Sequence, residues 1–433
     1  MKFIELRKDL DKKLFWLGIF LLPSAFSFSV IFFFISLLIS VKNNYKKILT
    51  DKINLIFILY FLLLPLIALT HSEQVPPLFG EWDKSLTWIG LANWLPLFAL
   101  FIGFQYYLDT KEDRIKAGNF FIAGTFPVLV SGIGQYFFNW HGPMEILNGL
   151  IIWYQRPIYE GARLSAVFNN QNYAGTWFCV VLPFCLSAFI KKSQFTLSKY
   201  ISLFFLILVT TSLILTTSRN AWGGLILLIP LMTGFSSIIW LIPIITILGG
   251  LISLILLGIM TPELTASIKD IIPSWIWMEF DPANFINRVS RLEIWNQSII
   301  YIMKRPFWGW GAASFPILYE AATKTYVTHP HNLLFELSIS YGVPFTALIF
   351  SSVLLITILS FKKIYRNNTK GLIDNISEKA WFSSFLVLFT SQFFDIQYFD
   401  GRISVTFWIL LAGLKRIISS RSSLQKNSNN IQA

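Results

Sequence analysis

Residues 237–259 read SIIWLIPIITILGGLISLILLGI, a run of 23 residues without a single charged side chain. An α-helix rises about 1.5 Å per residue, so a run of this length crosses the roughly 30 Å hydrocarbon core of a bilayer. Similar apolar segments recur at about 14–41, 53–70, 86–108, 117–138, 173–190, 200–217, 222–234, 332–361, 380–398 and 403–418. The sequence therefore predicts a polytopic membrane protein of the all-α class.

The overall composition supports this class. Of the 433 residues, 55% are hydrophobic and 13% are charged, whereas soluble domains carry roughly 25% charged residues. The basic N-terminus followed by apolar sequence is similar to a signal peptide, but no small-residue cleavage site follows, so we interpret it as membrane sequence. Cys179 and Cys185 lie within one predicted span and are interpreted as packing residues, because buried cysteine behaves as a small apolar side chain.

The distribution of basic residues predicts the topology. We expect the first apolar segment to form a hairpin of two short helices around Pro23. With this hairpin, the loops and termini on one face of the membrane carry 24 of the 35 Lys and Arg residues. Cytoplasmic loops carry such an excess, so we expect about twelve spans with both termini in the cytoplasm. The topology and anionic lipids account for most of the net charge of +12, and a nucleic-acid partner is not expected.

We expect a single membrane domain over residues 1–433. It would comprise N-terminal spans (1–159), a core (160–350), C-terminal spans (351–418) and a polar, disordered tail (419–433). Two long intervals on the outward side, 139–172 and 260–331, are rich in aromatic residues. Aromatic side chains favour the membrane interface, so these intervals are predicted to form interfacial helices.

Several outward arginines are not explained by topology. Arg219 lies between two spans, and Arg163 lies late in the first long interval. Arg288 and Arg291 share one helical face with Trp295, because residues three or four apart are neighbours on a helix. Guanidinium groups hold phosphate oxygens bidentately, so converging arginines would suit a lipid-linked diphosphate. The alternative is that each one reaches to lipid headgroups or pairs with a neighbouring acid.

Residues 328–345, THPHNLLFELSISYGVPF, contain His329 and His331, two of the four histidines. We expect His331 on the first turn of the helix that follows, where the positive end of the helix dipole disfavours imidazolium. A neutral imidazole can accept a proton from an attacking hydroxyl. The alternative is that His331 caps the helix or lies in an interfacial belt.

Other catalytic patterns are absent from the sequence. There is no HExxH, Walker loop or GxGxxG following a strand. The only Asp-x-Asp, Asp9 and Asp11, falls in the predicted cytoplasmic N-terminus, and Glu279 and Asp281 have no further acidic partner nearby. We therefore predict neither a metal site nor a cofactor. A transporter's intramembrane chain of acids is also absent, with Asp395 and Asp400 near a helix end as the closest candidates.

Four stretches occur in an order that resembles the O-antigen ligase family (the WaaL and Wzy_C group). They are GARLSAVFNNQNYAG, TTSRNAWGG, RLEIWNQSIIYIMKRPFWGWGAASF and THPHNLL, within about residues 160–350. The family signature also includes His331-Asn332, nine residues, and Gly342. Phe345 departs from the Gly, Thr or Tyr of its last position. The resemblance implies a GT-C-like, metal-independent, inverting glycosyltransferase that transfers a glycan from undecaprenyl diphosphate to a hydroxyl of lipid A-core.

Carried over by matching motif, the essential residues of the family correspond to Arg219, Arg291 and His331. Asn332 and Trp295 would orient the site, and we expect Arg163 and Arg288 to add substrate contacts. The implied partners are a lipid-linked oligosaccharide or polysaccharide donor, a glycolipid acceptor and membrane lipids. The implied location is the bacterial inner membrane, with the active site on the periplasmic side.

Two other functions remain open at this point. A polymerase of the same superfamily would join repeat units that both sit on lipid diphosphates. A bicarbonate-transporter-like protein would instead need polar residues through the bilayer. The spans are dominated by Leu, Ile and Phe, with polar interruptions such as Thr210, Thr211 and Ser212 mostly toward one face, which favours an enzyme with a one-sided site.

Overall fold

A computed structural model describes residues 10–74, 82–158, 163–191, 196–271, 289–366 and 375–419. Within these ranges the chain is predominantly α-helical. Among the described residues, eight helical segments are long and apolar enough to cross a membrane: 26–50, 52–71, 85–107, 111–138, 171–190, 197–215, 235–256 and 343–366. The predicted polytopic, helical architecture is confirmed, while the total of twelve spans stays a prediction.

The first half of the chain contains seven α-helices and two strands among its described residues. The helices are α1 (Leu10–Leu21), α2 (Phe26–Thr50), α3 (Lys52–Gln74), α4 (Ser85–Ile89), α5 (Leu95–Phe104), α6 (Lys111–Phe138) and α7 (Gln171–Ile190). The strands are β1 (Met144–Ile146) and β2 (Ile151–Trp153). Across all the described residues there are also three short 3₁₀ helices, at Gly90–Asn93, Gln105–Tyr107 and Phe235–Ser237, and the first two flank α5.

Ten further α-helices follow in the described part of the second half. They are α8 (Leu197–Leu215), α9 (Arg219–Thr233), α10 (Ile238–Leu256), α11 (Pro262–Ile271), α12 (Arg291–Lys304), α13 (Phe315–Thr323), α14 (Leu333–Tyr341), α15 (Val343–Arg366), α16 (Ile376–Ser391) and α17 (Gly401–Ser419).

The first apolar segment is broken near Pro23, as predicted, but its second helix is not a short half-span. Helix α2 has 25 residues and continues nine residues past the predicted end of the apolar segment at residue 41. It lacks Pro and Gly and ends at Asp51, where the backbone becomes extended. The two helices pack closely, because Ser29 Oγ donates a hydrogen bond to the Gly18 carbonyl at 2.7 Å.

The apolar segment 332–361 is also divided. Helix α14 ends at Gly342, which has φ +85°, and α15 begins at the next residue. A Cβ at Gly342 would collide with the backbone carbonyl of Phe307. The chain therefore turns between α14 and α15 where another loop passes in direct contact with its backbone.

The interval 139–172 contains a β-hairpin rather than the interfacial helices expected there. Strands β1 and β2 are antiparallel, with Met144 opposite Trp153. Leu147 and Asn148 both have positive φ, which makes the tight connection possible. Trp153 Nε1 donates to the Ser24 carbonyl at 2.8 Å, so the hairpin is held against the α1–α2 turn. In the interval 260–331, helices are present as predicted, at α11, α12 and α13.

The core lies around α7, α16 and α17, where Trp177, Trp381 and Trp408 are almost fully buried. Helix α10, in contrast, leaves Ile239 78% and Ile247 69% exposed. Apolar side chains exposed to this extent on a 19-residue helix are typical of a surface that faces lipid. The inner helices thus form the packed core, and the loops described below lie at one end of the bundle.

Candidate active site

A cavity of about 1350 Å³ opens at the end of the bundle where α7, α9 and α12 begin and where the loop into α14 passes. We call it the arginine cavity. Its wall brings together residues from distant parts of the chain. The charged and amide side chains considered below are Arg163, Asn172, Arg219, Arg291, His331 and Asp395.

The four helices that begin here all have a side-chain N-cap. Asn170, Ser218, Ser290 and Asn332 each accept a hydrogen bond from a backbone N–H of the first turn of α7, α9, α12 and α14, respectively. Such caps define where a helix starts. The N-terminus of a helix carries a partial positive charge, so the convergence of several N-termini favours an anion.

Three of the four arginines predicted from the sequence lie on the cavity wall. Arg219 is the first residue of α9 and Arg291 the first residue of α12. Arg163 belongs to the chain that leads into α7. The fourth, Arg288, lies outside the described residues. Because Ser218 and Ser290 set the starts of their helices, each following arginine is presented at a helix end rather than within a span.

His331 lies on the same wall. It was expected on the first turn of a helix, but the structure places it before the helix. Asn332 is the N-cap and α14 begins at Leu333, so His331 precedes the helix with φ +53°. A positive φ is uncommon for a residue with a side chain. His331 Nδ1 is 2.9 Å from Asp395 Oδ1, and the two side chains are 30% and 9% exposed.

Asp395 accepts two further hydrogen bonds, from Asn172 and from Ile396, and Ser218 in turn orients Asn172. Asn172 Nδ2 donates to Asp395 Oδ2 at 2.8 Å, and Ser218 Oγ donates to Asn172 Oδ1 at 2.9 Å. The backbone N–H of Ile396 donates to Oδ1 at 3.1 Å. Burial by itself raises the pKa of Asp395, but the hydrogen bond and charge of His331 outweigh it and bring the pKa below its usual value. The carboxylate is therefore ionised and fixed in orientation.

Neither Asp395 nor Asn172 is predicted from the sequence to belong to this site. Asp395 was considered only as a transporter residue. Asn172 was not singled out within the motif GARLSAVFNNQNYAG. The available signal was a polar stretch, QFFDIQYFD, between two strongly apolar helices. Its contact with His331 joins residues 64 positions apart, and spacing along the chain does not indicate such a contact.

Trp295 and Asn332 do not lie on the cavity wall. Trp295 Nε1 donates to the Pro330 carbonyl at 3.0 Å, and its ring meets Phe335 edge-on. Asn332 caps α14 and donates through Nδ2 to the Phe393 carbonyl at 3.2 Å. Both residues hold the backbone on either side of His331, and their predicted role in binding substrate stays a prediction.

His329, His331 and Asp395 are the one group with metal-ligand spacing among the residues that the structure describes, with ligand atoms within 4.8 Å of one another. Two of the nitrogens are already engaged. His331 Nδ1 contacts Asp395, and His329 Nδ1 accepts the His331 backbone N–H at 3.2 Å. A metal ion bound through Nδ1 of either ring would have to replace these hydrogen bonds.

The fold and the cavity define a polytopic membrane protein whose basic, helix-capped site suits an anionic group beside a histidine–carboxylate pair. Residues 203–351 match the protein-family model described as Wzy_C: O-Antigen ligase. The resemblance drawn from the motifs is confirmed over this segment, which includes Arg219, Arg291 and His331. The match indicates a membrane enzyme of the O-antigen ligase or polymerase type. No curated protein matches the chain.

Proposed function

We propose that this protein transfers a glycan from an undecaprenyl-diphosphate carrier to a hydroxyl of a glycolipid acceptor, as an O-antigen ligase does. The observation that carries the proposal is the convergence of Arg163, Arg219 and Arg291 with the His331–Asp395 pair on one cavity. The reaction needs an anion site for the leaving diphosphate and a base for the acceptor, and this cavity offers both.

The arginines and helix N-termini bind the diphosphate. As the bond between the anomeric carbon and the phosphate oxygen breaks, its electron pair passes to the diphosphate, and negative charge develops there. Fixed donors aimed at such charge stabilise the transition state. Arg219 and Arg291 supply them from the first residues of α9 and α12, and Arg163 adds a third guanidinium.

His331 accepts the proton of the acceptor. With Nδ1–H donating to Asp395, the Nε2 atom of the neutral ring has a free lone pair. The acceptor oxygen forms the new bond to the anomeric carbon while its proton passes to Nε2. The Asp395 carboxylate stabilises the imidazolium that results. The products are the glycosylated acceptor and undecaprenyl diphosphate, formed without a metal ion.

We place the reaction on the periplasmic side of a bacterial inner membrane, with both termini in the cytoplasm. This placement is supported by the excess of Lys and Arg in the loops at the opposite end of the bundle from the arginine cavity. The lipid-linked donor would reach the cavity from the bilayer, and membrane lipids would surround α10.

The experiment is transfer by purified protein in proteoliposomes, with lipid-linked glycan as donor and lipid A-core as acceptor. Arg219→Lys and Arg291→Lys keep the charge but lose the planar fork that holds two phosphate oxygens. We expect each to reduce kcat/KM by about 10-fold or more, and the alanine variants to lose more, since one fixed oxyanion donor is worth roughly 10²–10³-fold. The matched control is Lys304→Ala, an exposed basic residue at the end of α12.

The products separate the remaining alternatives. Transfer of polymer to lipid A-core supports the ligase. Extension of a lipid-linked repeat unit by a second one, with lipid A-core unchanged, would identify a polymerase. Uptake of bicarbonate into the vesicles without glycan transfer would contradict the enzymatic function.

A further inference from the structure

A second, smaller cavity of about 340 Å³ lies beside the arginine cavity. We call it the hairpin cavity, because the β1–β2 hairpin forms one of its sides. The α1–α2 turn, the start of α7 and the α16–α17 loop complete it. The lining residues that matter here are Ser24, Tyr154, Asn169, Tyr173, Asp400 and Arg402.

Two parts of the chain, the start of α7 and the α16–α17 loop, contribute residues to both cavities. At the start of α7, Asn172 lines the arginine cavity and the next residue, Tyr173, lines the hairpin cavity. Consecutive residues on a helix point about 100° apart, so one turn serves both. In the α16–α17 loop, Asp395 faces the first cavity and Asp400 the second. The hairpin cavity therefore adjoins the side of the site that holds Asp395.

The polar side of the hairpin cavity is built from a buried ion pair. Arg402 Nε donates to Asp400 Oδ1 at 2.9 Å, and the guanidinium also lies 4.1 Å from the centre of the Phe168 ring. Both charged side chains are less than 10% exposed. The Asn169 side-chain oxygen is buried and has no hydrogen-bond partner within the part of the chain that the structure describes. It is an acceptor available to a ligand hydroxyl.

The remaining side of the hairpin cavity is aromatic. Tyr154 is 41% exposed and Phe399 is 42% exposed, although both lie next to well-packed residues. Exposed rings beside fixed polar groups suit a ligand with an apolar face and a polar edge. A pyranose ring has this shape, since its C–H bonds form the faces and its hydroxyls the edge.

We propose that the hairpin cavity binds a sugar ring of the acceptor glycan. This proposal rests on the proposed function. A lipid tail does not fit, because it would place apolar groups against the charged Asp400–Arg402 pair and leave the Asn169 oxygen without a partner. A diphosphate does not fit either, because Asp400 already neutralises the only guanidinium among the described lining residues.

The position of the cavity assigns the sugar to the acceptor rather than to the donor. The donor diphosphate belongs with Arg219 and Arg291, in the other cavity. The proton that passes to His331 comes from the acceptor, and the wall behind His331 is formed by Asp395 and Asn172. We assign the sugar in the hairpin cavity to the acceptor, whose glycan extends past this wall and places its hydroxyl at Nε2 of His331 in the arginine cavity.

The first test compares Tyr154→Ala and Asn169→Ala with Leu147→Ala, a variant on the same hairpin whose side chain is 58% exposed and does not line the cavity. Initial rates are measured against acceptor concentration at saturating donor. We expect the acceptor KM to rise about 10-fold in the two cavity variants, which corresponds to about 1.4 kcal/mol. Their kcat and donor KM should stay within about twofold of wild type, as should all constants of Leu147→Ala. A rise in the donor KM, or no change, would overturn the proposal.

The second test does not depend on transfer. Delipidated oligosaccharides, from the lipid A-core and from the repeat unit of the source strain, are titrated calorimetrically into the full-length protein in detergent. We expect one of them to bind wild type and His331→Ala equally and to bind Tyr154→Ala at least about 10-fold more weakly. Equal binding to Tyr154→Ala, or binding of neither glycan to wild type, would refute a sugar site. If binding follows this pattern while wild type transfers no glycan, the proposed function fails and the sugar site stands.

Discussion

The His331–Asp395 contact is the residue-scale feature with the clearest catalytic consequence. Asp395→Asn keeps the shape of the side chain but removes the charge that orients the ring and stabilises imidazolium. We expect kcat to fall by about 10²–10⁴-fold, the range that general-base catalysis supplies, with little change in donor KM. Steady-state kinetics in proteoliposomes measure this. Glu320→Gln, which changes an exposed acid on α13, serves as the control, and wild-type kcat in Asp395→Asn would contradict the role.

The lowered pKa of His329 predicts that the stability of the protein depends on pH. Burial, with help from the positive charge of the neighbouring His331, lowers the pKa of His329 from 6.5 to about 4, although Asp395 opposes the shift. Arg291 lowers it further. As pH falls from 6.5 to 4, the unfolded chain takes up this proton before the folded chain does, so the free energy of unfolding decreases.

Thermal unfolding in detergent tests this expectation. The melting temperature of wild type should fall between pH 6.5 and pH 4, and the fall should be smaller in His329→Gln, whose side chain does not titrate. At pH 8, where the folded and unfolded chains both hold a neutral ring, the two proteins should differ only by the effect of the substitution itself. An identical pH response of the two proteins would contradict the assignment.

At the residue scale, Arg219, Arg291 and His331 could be proposed as site residues because each belongs to a local motif. In addition, an arginine near the bilayer is energetically costly and is usually functional. Asp395 was not predictable in this role. Its proposed role depends on a hydrogen bond to a residue 64 positions away, and nothing in its own neighbourhood specifies that partner.

At the scale of elements, Gly342 decides where α14 ends. Its φ of +85° and the nearby Phe307 carbonyl leave no room for a Cβ. We expect Gly342→Ala to destabilise the protein by at least about 1–3 kcal/mol, the typical cost of forcing such a backbone conformation, and to reduce activity by displacing α14 and the preceding His331. Thermal unfolding and transfer kinetics measure the two effects.

The matched control is Gly249→Ala in α10, where a Cβ would meet no atom within 4 Å. Alanine favours a helix interior over glycine by up to about 1 kcal/mol, so this variant should be neutral or more stable. If the two variants had the same stability, the break at Gly342 would not be set by its backbone.

Helix boundaries show the same division between local and distant causes. The start of α6 follows from a capping box formed by Thr110 and Asp113, which is a local pattern. The break within 332–361 needs the loop at Phe307, and the β-hairpin needs the Trp153 contact with the α1–α2 turn in order to rest on the bundle. Aromatic content alone predicted interfacial helices in that interval.

At the scale of the whole molecule, the charge distribution predicts that the two ends of the bundle face opposite sides of the membrane. Lys47→Cys, in the last turn of α2, and Glu320→Cys, on α13 shortly before the cavity-lining residues 325–328, replace exposed residues. A membrane-impermeant maleimide added to intact spheroplasts should label only the second, and both should react after permeabilisation. The native Cys179 and Cys185 are buried, so the parent protein should give little background. Labelling of both variants in intact spheroplasts would contradict the topology.

The sequence by itself determined that this is a helical membrane protein, since the solvation of long apolar helices depends on composition and length rather than on partners. It also pointed to the arginines and the histidine through local motifs. Only the tertiary structure decided that these residues share one cavity, that Asp395 and Asn172 complete it, and that a second cavity adjoins it. Those features depend on contacts between helices far apart in the chain, and such contacts arise only when the apolar faces of the bundle pack together.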